Sequence, residues 1–419
     1  HLAQVNAIDP AKLNEQTRLS WKLMKQELEE EIADYQWRHH NYPVNQMFGL
    51  HSSVAALLIN QHGIEDVKDA EDYIARLNAL PKLFEQLAYN LQLRAEKGIM
   101  APKFVYPYVI SDSKNIITGA PFDDGEASAL WADFTKKVEN LEIKEDQRDA
   151  LLAAAEKAML ESVKPAYENL IASVEAIAEQ ADTKDGAWKF PEGEAFYNNA
   201  LQRTTTTDLT ADEIHQIGLS EVKRIHEEMR GIMKDVGFEG TLQEFFVHMR
   251  NNEDFIYPNT EEGRKRYLDE ATAYIDNMRG RLDELFINKP KAGLIVKAVE
   301  PFREKSAGKA FYQQPSMDGT RPGTYYANLY DMAAMPTYQM EALAYHEGIP
   351  GHHMQIAIQQ ELEGIPKFRR FGRYTAYSEG WGLYTEKLPK EIGLYKDPYS
   401  DFGRLAMELW RAVRLVVDT

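Results

Sequence analysis

Apolar side chains recur at steps of three and four residues through most of the first two hundred positions, and few folds accommodate such a chain. Between Glu15 and Arg38 these positions are Trp21, Met24, Leu28, Ile32 and Tyr35. Segments 66–97 and 127–181 repeat the spacing, and turn signals separate the segments at 80–81 (Leu-Pro), 185–186 (Asp-Gly) and 191–193. Each helix with one apolar face must bury that face against a neighbour. The spacing therefore predicts several long helices that pack together.

The second half of the chain combines helices with a few strands. Thr210 and Glu213 form a capping box, which predicts a helix from that point to about Lys234. The stretches GLIVKAVE and GTYYANLY, between 292 and 331, are rich in β-branched and aromatic residues and predict strands. Helical spacing returns in MPTYQMEALAYHEG and in the last fifteen residues. We therefore predict a mostly α fold with a small sheet.

Composition excludes several classes of protein. The chain has a net charge of -18, and nucleic-acid binding requires a basic face, so we expect no nucleic-acid partner. It has no Cys, which excludes disulfides, thiol nucleophiles and Cys-ligated metals. No apolar run reaches the roughly 18 residues of a transmembrane helix. The first residue is His1 and the helical spacing persists to Thr419, so we expect a longer natural chain, in which a lipid anchor could lie upstream.

The sequence His346-Glu347-Gly-Ile-Pro-Gly-His352-His353 places three His within eight residues. In many zinc hydrolases a helical His ligates the metal and the Glu beside it polarises the bound water. The second ligand normally follows four residues after the first, where this chain has Pro350. Pro350 and Gly351 favour an opened helix, which would bring His352 to the ligand position. His353 is the alternative second metal ligand, although in an unbroken helix it would lie about 10 Å along the axis from His346. If His352 is the ligand, we expect His353 to contact a metal ligand or the substrate.

A third ligand is expected on the next predicted helix, within YTAYSEGWGLYTE. Glu379 is the first candidate because Tyr377, Trp381 and Tyr384 flank it, and a carboxylate in apolar surroundings needs a partner. Glu386, two turns later, is the reserve candidate.

Other residues are candidates for substrate contacts. The strand 323–330, with Tyr326 and Asn328, is expected to be an edge strand that pairs with an extended substrate. Guanidinium groups suit a substrate carboxylate or an oxyanion, and the candidates are Arg321, Arg373, Arg411 and Arg414. The oxyanion could also be stabilised by His353 or by one of three tyrosines, Tyr374, Tyr377 or Tyr384.

The segments HEGIPGHH and SEGW, together with NYPVNQMFG, ARLNALP, LTADEIHQIGLSEV and the C-terminal stretches, resemble the bacterial DUF885 family over essentially the whole chain. The resemblance implies a largely helical, zincin-like fold of the oligopeptidase type, with the sheet next to the metal helix. It implies a metal site of His346, His352 or His353, and Glu379, with Glu347 as the base. Many members carry an export or lipoprotein signal, and members often continue with Gly-x-His after the last residues of this chain.

We therefore predict a zinc metallopeptidase with one zinc ion per chain. Region 1–200 is expected to form a wall of a deep cleft and region 201–419 to carry catalysis, so that short peptides are the substrates. Glu347 is the predicted base, and Tyr377 and His353 are the candidates for transition-state contacts. Two alternatives stay open: an amidase or esterase acting on a small non-peptide substrate, and a non-catalytic binding protein. An extracytoplasmic, periplasmic location is expected, with a cytoplasmic one as the alternative.

Overall fold

The computed structural model describes residues 1–419. The helices, in chain order, are α1 Leu2–Asn6, α2 Glu15–Asp34, α3 Leu50–Gln61, α4 Val67–Glu96, α5 Tyr106–Ile116, α6 Ala129–Glu139, α7 Glu145–Ala158, α8 Lys164–Ala178, α9 Gly193–Thr205, α10 Ala211–Asp235, α11 Leu242–Asn251, α12 Glu261–Arg281, α13 Thr337–Glu347, α14 His352–Glu361, α15 Lys367–Phe371, α16 Thr375–Glu391 and α17 Pro398–Val417. The strands are β1 Leu294–Ala298, β2 Ala310–Gln313 and β3 Gly323–Ala327. The predicted mostly α class with a small sheet is confirmed.

The chain divides into two compact units. One comprises 37–194 and 300–307, and the other comprises 1–36, 195–299 and 308–419. This division rests on backbone packing alone. It does not test the predicted roles of region 1–200 as a cleft wall and of region 201–419 as the catalytic region, which stay predictions. No helix has the combination of length and apolar composition that a membrane span requires.

The unit made of 37–194 and 300–307 contains α3 to α8 around one apolar core. Its longest helix, α4, buries Tyr73, Leu77, Phe84 and Leu87 along one face. The helix continues through Pro81, so the turn predicted at 80–81 is wrong. A proline inside a helix loses one backbone hydrogen bond, and the continuous buried face on both sides of it offsets that loss. Segment 127–181 forms the three helices α6, α7 and α8, and a π-helical segment over Met159–Val163 joins α7 to α8.

The other unit carries the sheet and the helices around it. The predicted capping box opens α10, where the Thr210 hydroxyl accepts from the backbone of Glu213 and the Glu213 carboxylate accepts from the backbone of Thr210. Helix α17 packs on α10 and α13. The approach to α13 is close because residue 403 is Gly: a Cβ there would lie 1.7 Å from the carbonyl oxygen of Tyr338.

The sheet has the order β1-β3-β2, with β1 parallel and β2 antiparallel to β3. The prediction that the strand at 323–330 is an edge strand is therefore wrong. β3 is central and fully buried, and its backbone groups pair with a strand on each side. A substrate strand cannot add to a central strand. The sequence pattern had indicated β1 and β3, but not the short strand β2.

Candidate metal centre

The motif around His346 forms a complete helix break. Helix α13 ends at Glu347 and α14 begins at His352. The motif therefore spans two separate helices joined by a short turn, and it is not a single helix with a bulge. Gly351 has φ -77° and ψ -130°, and a Cβ on it would lie 1.9 Å from the carbonyl oxygen of His346. The turn therefore requires glycine at this position, and it brings the start of α14 back to the end of α13.

The break places the His352 ring beside the His346 ring, with ring centroids 4.6 Å apart. Glu379 on α16 reaches both: its two carboxylate oxygens lie 3.7 Å from His346 Nε2 and 3.5 Å from His352 Nε2. One ligand atom from each residue lies within 4.8 Å of the others. Donor atoms around a tetrahedral zinc ion, at bond lengths near 2.1 Å, are separated by about 3.4 Å. The donor set and its spacing can therefore hold a metal ion.

Three residues of α16 surround the His346 ring. Glu379, Gly382 and Glu386 follow at steps of three and four, so they share one helix face. Glu379 faces Nε2, and a Glu386 oxygen lies 2.9 Å from Nδ1. Gly382 lies against the ring between them, because a Cβ there would be 2.5 Å from His346 Cε1. Arg411 of α17 completes the surroundings, 2.9 Å from Glu386 and 3.2 Å from Nδ1.

The charges in this group favour a cation. Burial opposes protonation of His346, but the carboxylates of Glu379 and Glu386 outweigh it and raise the pKa of His346 to about 10. Burial and the neighbouring His346 lower the pKa of His352. The contact with His346 lowers the pKa of Glu379. Carboxylates therefore concentrate negative charge around two imidazoles, and a divalent cation can neutralise that charge.

Glu347 is a buried carboxyl next to the first His. It is 6% exposed, and its Oε2 has no hydrogen-bond partner. Burial raises the pKa of Glu347 to about 7, although the positive charge of His346 acts in the other direction. A carboxyl with a pKa close to neutrality can both accept and return a proton, which are the properties of a general base.

His353 is held elsewhere. Its Nδ1 lies 3.0 Å from the Tyr312 hydroxyl on β2, and its Nε2 lies 3.1 Å from the carbonyl oxygen of Ala292. Both ring nitrogens thus have protein partners, and His353 is not one of the three grouped ligands. Its contacts tie α14 to the sheet.

The predicted substrate residues are dispersed. Tyr326 is buried and stacks on Phe311. The Asn328 side chain accepts a hydrogen bond from the backbone of Tyr330, and Arg414 pairs with Asp418. Arg373 donates to the Gln314 side chain and contributes to the lowered pKa of His352, so its charge lies near the group. Tyr377 is 60% exposed and lies one half-turn before Glu379 on α16.

The sequence analysis did not mention Gly382, and it named Trp381 only as an apolar neighbour of Glu379. Gly382 packs against His346, and the Trp381 indole donates to the carbonyl oxygen of Pro350, 2.9 Å away, which ties α16 to the helix break. The Gly and Trp residues next to Glu379 indicate close packing in the sequence. They do not identify His346 and Pro350 as the residues that they contact.

The fold and the site define a mostly helical protein with a two-His, one-Glu candidate metal centre. The chain belongs to the DUF885 family, described as "Bacterial protein of unknown function", whose model matches residues 1–419. It is similar to a crystal structure described as "the putative lipoprotein from Colwellia psychrerythraea", with 32% identity and a TM-score of 0.83. That match covers 90% of this chain, and the chain spans 65% of the length of that structure. No curated protein matches the chain.

Proposed function

We propose that the protein is a zinc-dependent hydrolase of the zincin type and that its substrates are short peptides. The observation that supports this most is the convergence of His346, His352 and Glu379 beside the buried Glu347. Two imidazoles and one carboxylate are the protein ligands of a catalytic zinc with an open position, and the absence of Cys leaves no thiolate competitor. A bound zinc ion would polarise the scissile carbonyl and acidify a water molecule.

The reaction requires a proton carrier, and Glu347 has the properties of one. It takes a proton from the attacking water and delivers it to the leaving amine, which its near-neutral pKa permits. The Glu379 side chain is 55% exposed, so the ligand group is accessible from solvent on that side. Tyr377, predicted from the sequence, stays our candidate for a hydroxyl that stabilises the oxyanion, although it lies two residues before Glu379 and therefore on a different face of α16.

Substrate binding is proposed for Arg373, whose guanidinium can pair with a peptide carboxylate. Its only polar partner is the neutral Gln314 side chain, so an anion can join it without displacing an ion pair.

Metal analysis and a substrate screen together test this function. Protein purified without chelator should contain one zinc ion per chain by plasma emission. It should cleave short peptides, and Glu347→Gln should keep the metal and lose turnover, because Glu347 is not among the three ligands. Cleavage of small amides or esters but not of peptides would favour an amidase or esterase. Metal binding without hydrolysis of any substrate would favour a binding protein.

An extracytoplasmic location belongs to the same proposal. Its support is the similarity to a structure described as a lipoprotein. Fractionation of cells that express the full-length gene product should find the protein outside the cytoplasm, and a wholly cytosolic pool would contradict the proposal.

A further inference from the structure

Two arginine side chains are held by one residue, Gln314, which directly follows β2. Arg373 donates to the Gln314 side chain, 2.5 Å away, and Arg321 donates to the Gln314 backbone carbonyl, 2.8 Å away. Neither guanidinium has a carboxylate partner. The acidic residue of the same loop, Asp318, accepts instead from two hydroxyl groups of that loop. In a chain of net charge -18, these two cations stay available to an anionic ligand.

The pair lies beside the candidate metal centre. Tyr312 is two residues before Gln314, and its hydroxyl lies 3.0 Å from Nδ1 of His353, which follows His352 in α14. The start of β3 packs against this contact, because a Cβ on Gly323 would lie 2.5 Å from His353 Nδ1 and 2.6 Å from the Tyr312 hydroxyl. The loop that joins β2 to β3 therefore begins and ends next to the first turn of α14.

The charges of both arginines reach this group of residues. Burial raises the pKa of Tyr312, and the positive charges of Arg373 and Arg321 act in the other direction. Burial and His346 are the larger causes of the lowered pKa of His352, and Arg373 adds to them. Charges act in this way over less than about 10 Å. An anion bound to the pair would therefore lie close to His352.

We propose that Arg321 and Arg373 together bind the C-terminal carboxylate of a peptide substrate, so that the protein removes residues from the C-terminal end of short peptides. This inference rests on the proposed function. A guanidinium group binds a carboxylate through two parallel hydrogen bonds, and two such groups select a ligand with a full negative charge.

The C-terminal carboxylate fits this position better than an acidic side chain. Every short peptide carries one such carboxylate within a few residues of the bond that is cut, whatever its sequence. Hydrolysis breaks the C–N bond, adds the oxygen of water to the acyl carbon and leaves a proton on the amine. The fragment that stays bound to the two arginines is therefore the leaving group, with its new amine toward the metal centre.

The test uses each peptide as the free acid and as the C-terminal amide, which removes the charge and little else. The variants are Arg321→Gln and Arg373→Gln, and the control is Arg264→Gln. Arg264 is also held by a neutral amide, with Asn259 Oδ1 2.9 Å away, so the change of charge is the same. Cleavage is measured as kcat/KM, and binding of the same peptides is measured by calorimetry in Glu347→Gln protein, which should not turn them over.

We expect the wild type to favour the free acid over the amide by about ten- to hundredfold, as the loss of a charged hydrogen-bonded pair requires. Mass spectrometry of the products should show cuts near the C-terminal end. Arg321→Gln and Arg373→Gln should lose about the same factor on the free acid and little on the amide, in cleavage and in binding. The control should keep the wild-type preference. If Arg321→Gln fails to fold, the exposed Arg373 carries the test.

A peptide amide that ends in Glu separates the two sources of a carboxylate. It should behave as the other amides do, and cleavage as efficient as that of the free acids would refute the role of the C-terminus.

Failure of this inference can be told from failure of the proposed function. If zinc-loaded wild type cleaves no peptide, the proposed function fails, and this inference fails with it. If it cleaves peptides but treats acids and amides alike, or if both arginine variants keep the preference, the peptidase stands and the role of the pair is refuted.

Discussion

Replacing Gly382 with Ala should displace the His346 ring and weaken metal binding. The added Cβ would lie 2.5 Å from Cε1, 2.8 Å from Nδ1 and 3.0 Å from Nε2, whereas ordinary contacts begin near 3.4 Å. The ring or the helix must therefore move by about 0.9 Å, several times the roughly 0.2 Å tolerance of a metal–ligand bond. The ring cannot retreat freely, because His352 packs against it and Glu386 contacts its Nδ1.

Gly380 provides a matched control on the same helix. A Cβ at this position meets nothing within 4 Å. Both substitutions replace a helical glycine of α16 with alanine, which by itself stabilises a helix by about 0.5–1 kcal/mol. A difference between the two variants therefore reports the contact with His346 and not helix propensity.

The assay measures zinc affinity by chelator competition and thermal unfolding of the metal-free protein. Gly382→Ala should bind zinc ten- to hundredfold more weakly than wild type, equivalent to about 1.4–2.7 kcal/mol. Gly380→Ala should retain the wild-type affinity and melt at the same or a higher temperature. Wild-type zinc affinity in Gly382→Ala would refute the reasoning, since it would mean that the His346 ring is not confined as described.

Three further predictions concern the ligands, the substrate and the fold. His352→Ala should cost at least tenfold more zinc affinity than His353→Ala, because His352 and not His353 is among the grouped ligands. His353→Ala should instead lower the melting temperature, because His353 ties α14 to the sheet. The reverse ranking of zinc affinities would place His353 on the metal. In a panel from dipeptides to peptides of roughly forty residues, short flexible peptides should be cleaved and a compact folded protein should resist if region 1–200 forms the wall of a deep cleft, as the sequence analysis predicts; efficient cleavage of the folded protein would contradict this. Thr210→Ala should lower the free energy of unfolding by about 1 kcal/mol in denaturant titration, because it removes a capping box, and no change would show that the cap adds nothing.

Much of the helical structure was readable from the sequence because helix formation depends on residues three and four positions apart. The spacing of apolar residues predicted α2 and α4, and the pair Thr210 and Glu213 predicted the start of α10. The pair Pro350 and Gly351 predicted a helix break after Glu347 for the same reason, since their effect on the backbone is local. The residue types near the break were also sufficient to propose a metal site.

Contacts between distant segments decided the rest. The position of β3 at the centre of the sheet depends on β1 and β2, whose pairing no local pattern encodes. The continuation of α4 through Pro81 depends on the core that its buried face joins. Whether Glu386 lies on the Nδ1 or the Nε2 side of His346 depends on how α16 crosses α13, and the short Gly382 allows that crossing to be close. These outcomes are set by packing between elements far apart in the chain, so only the tertiary structure could determine them.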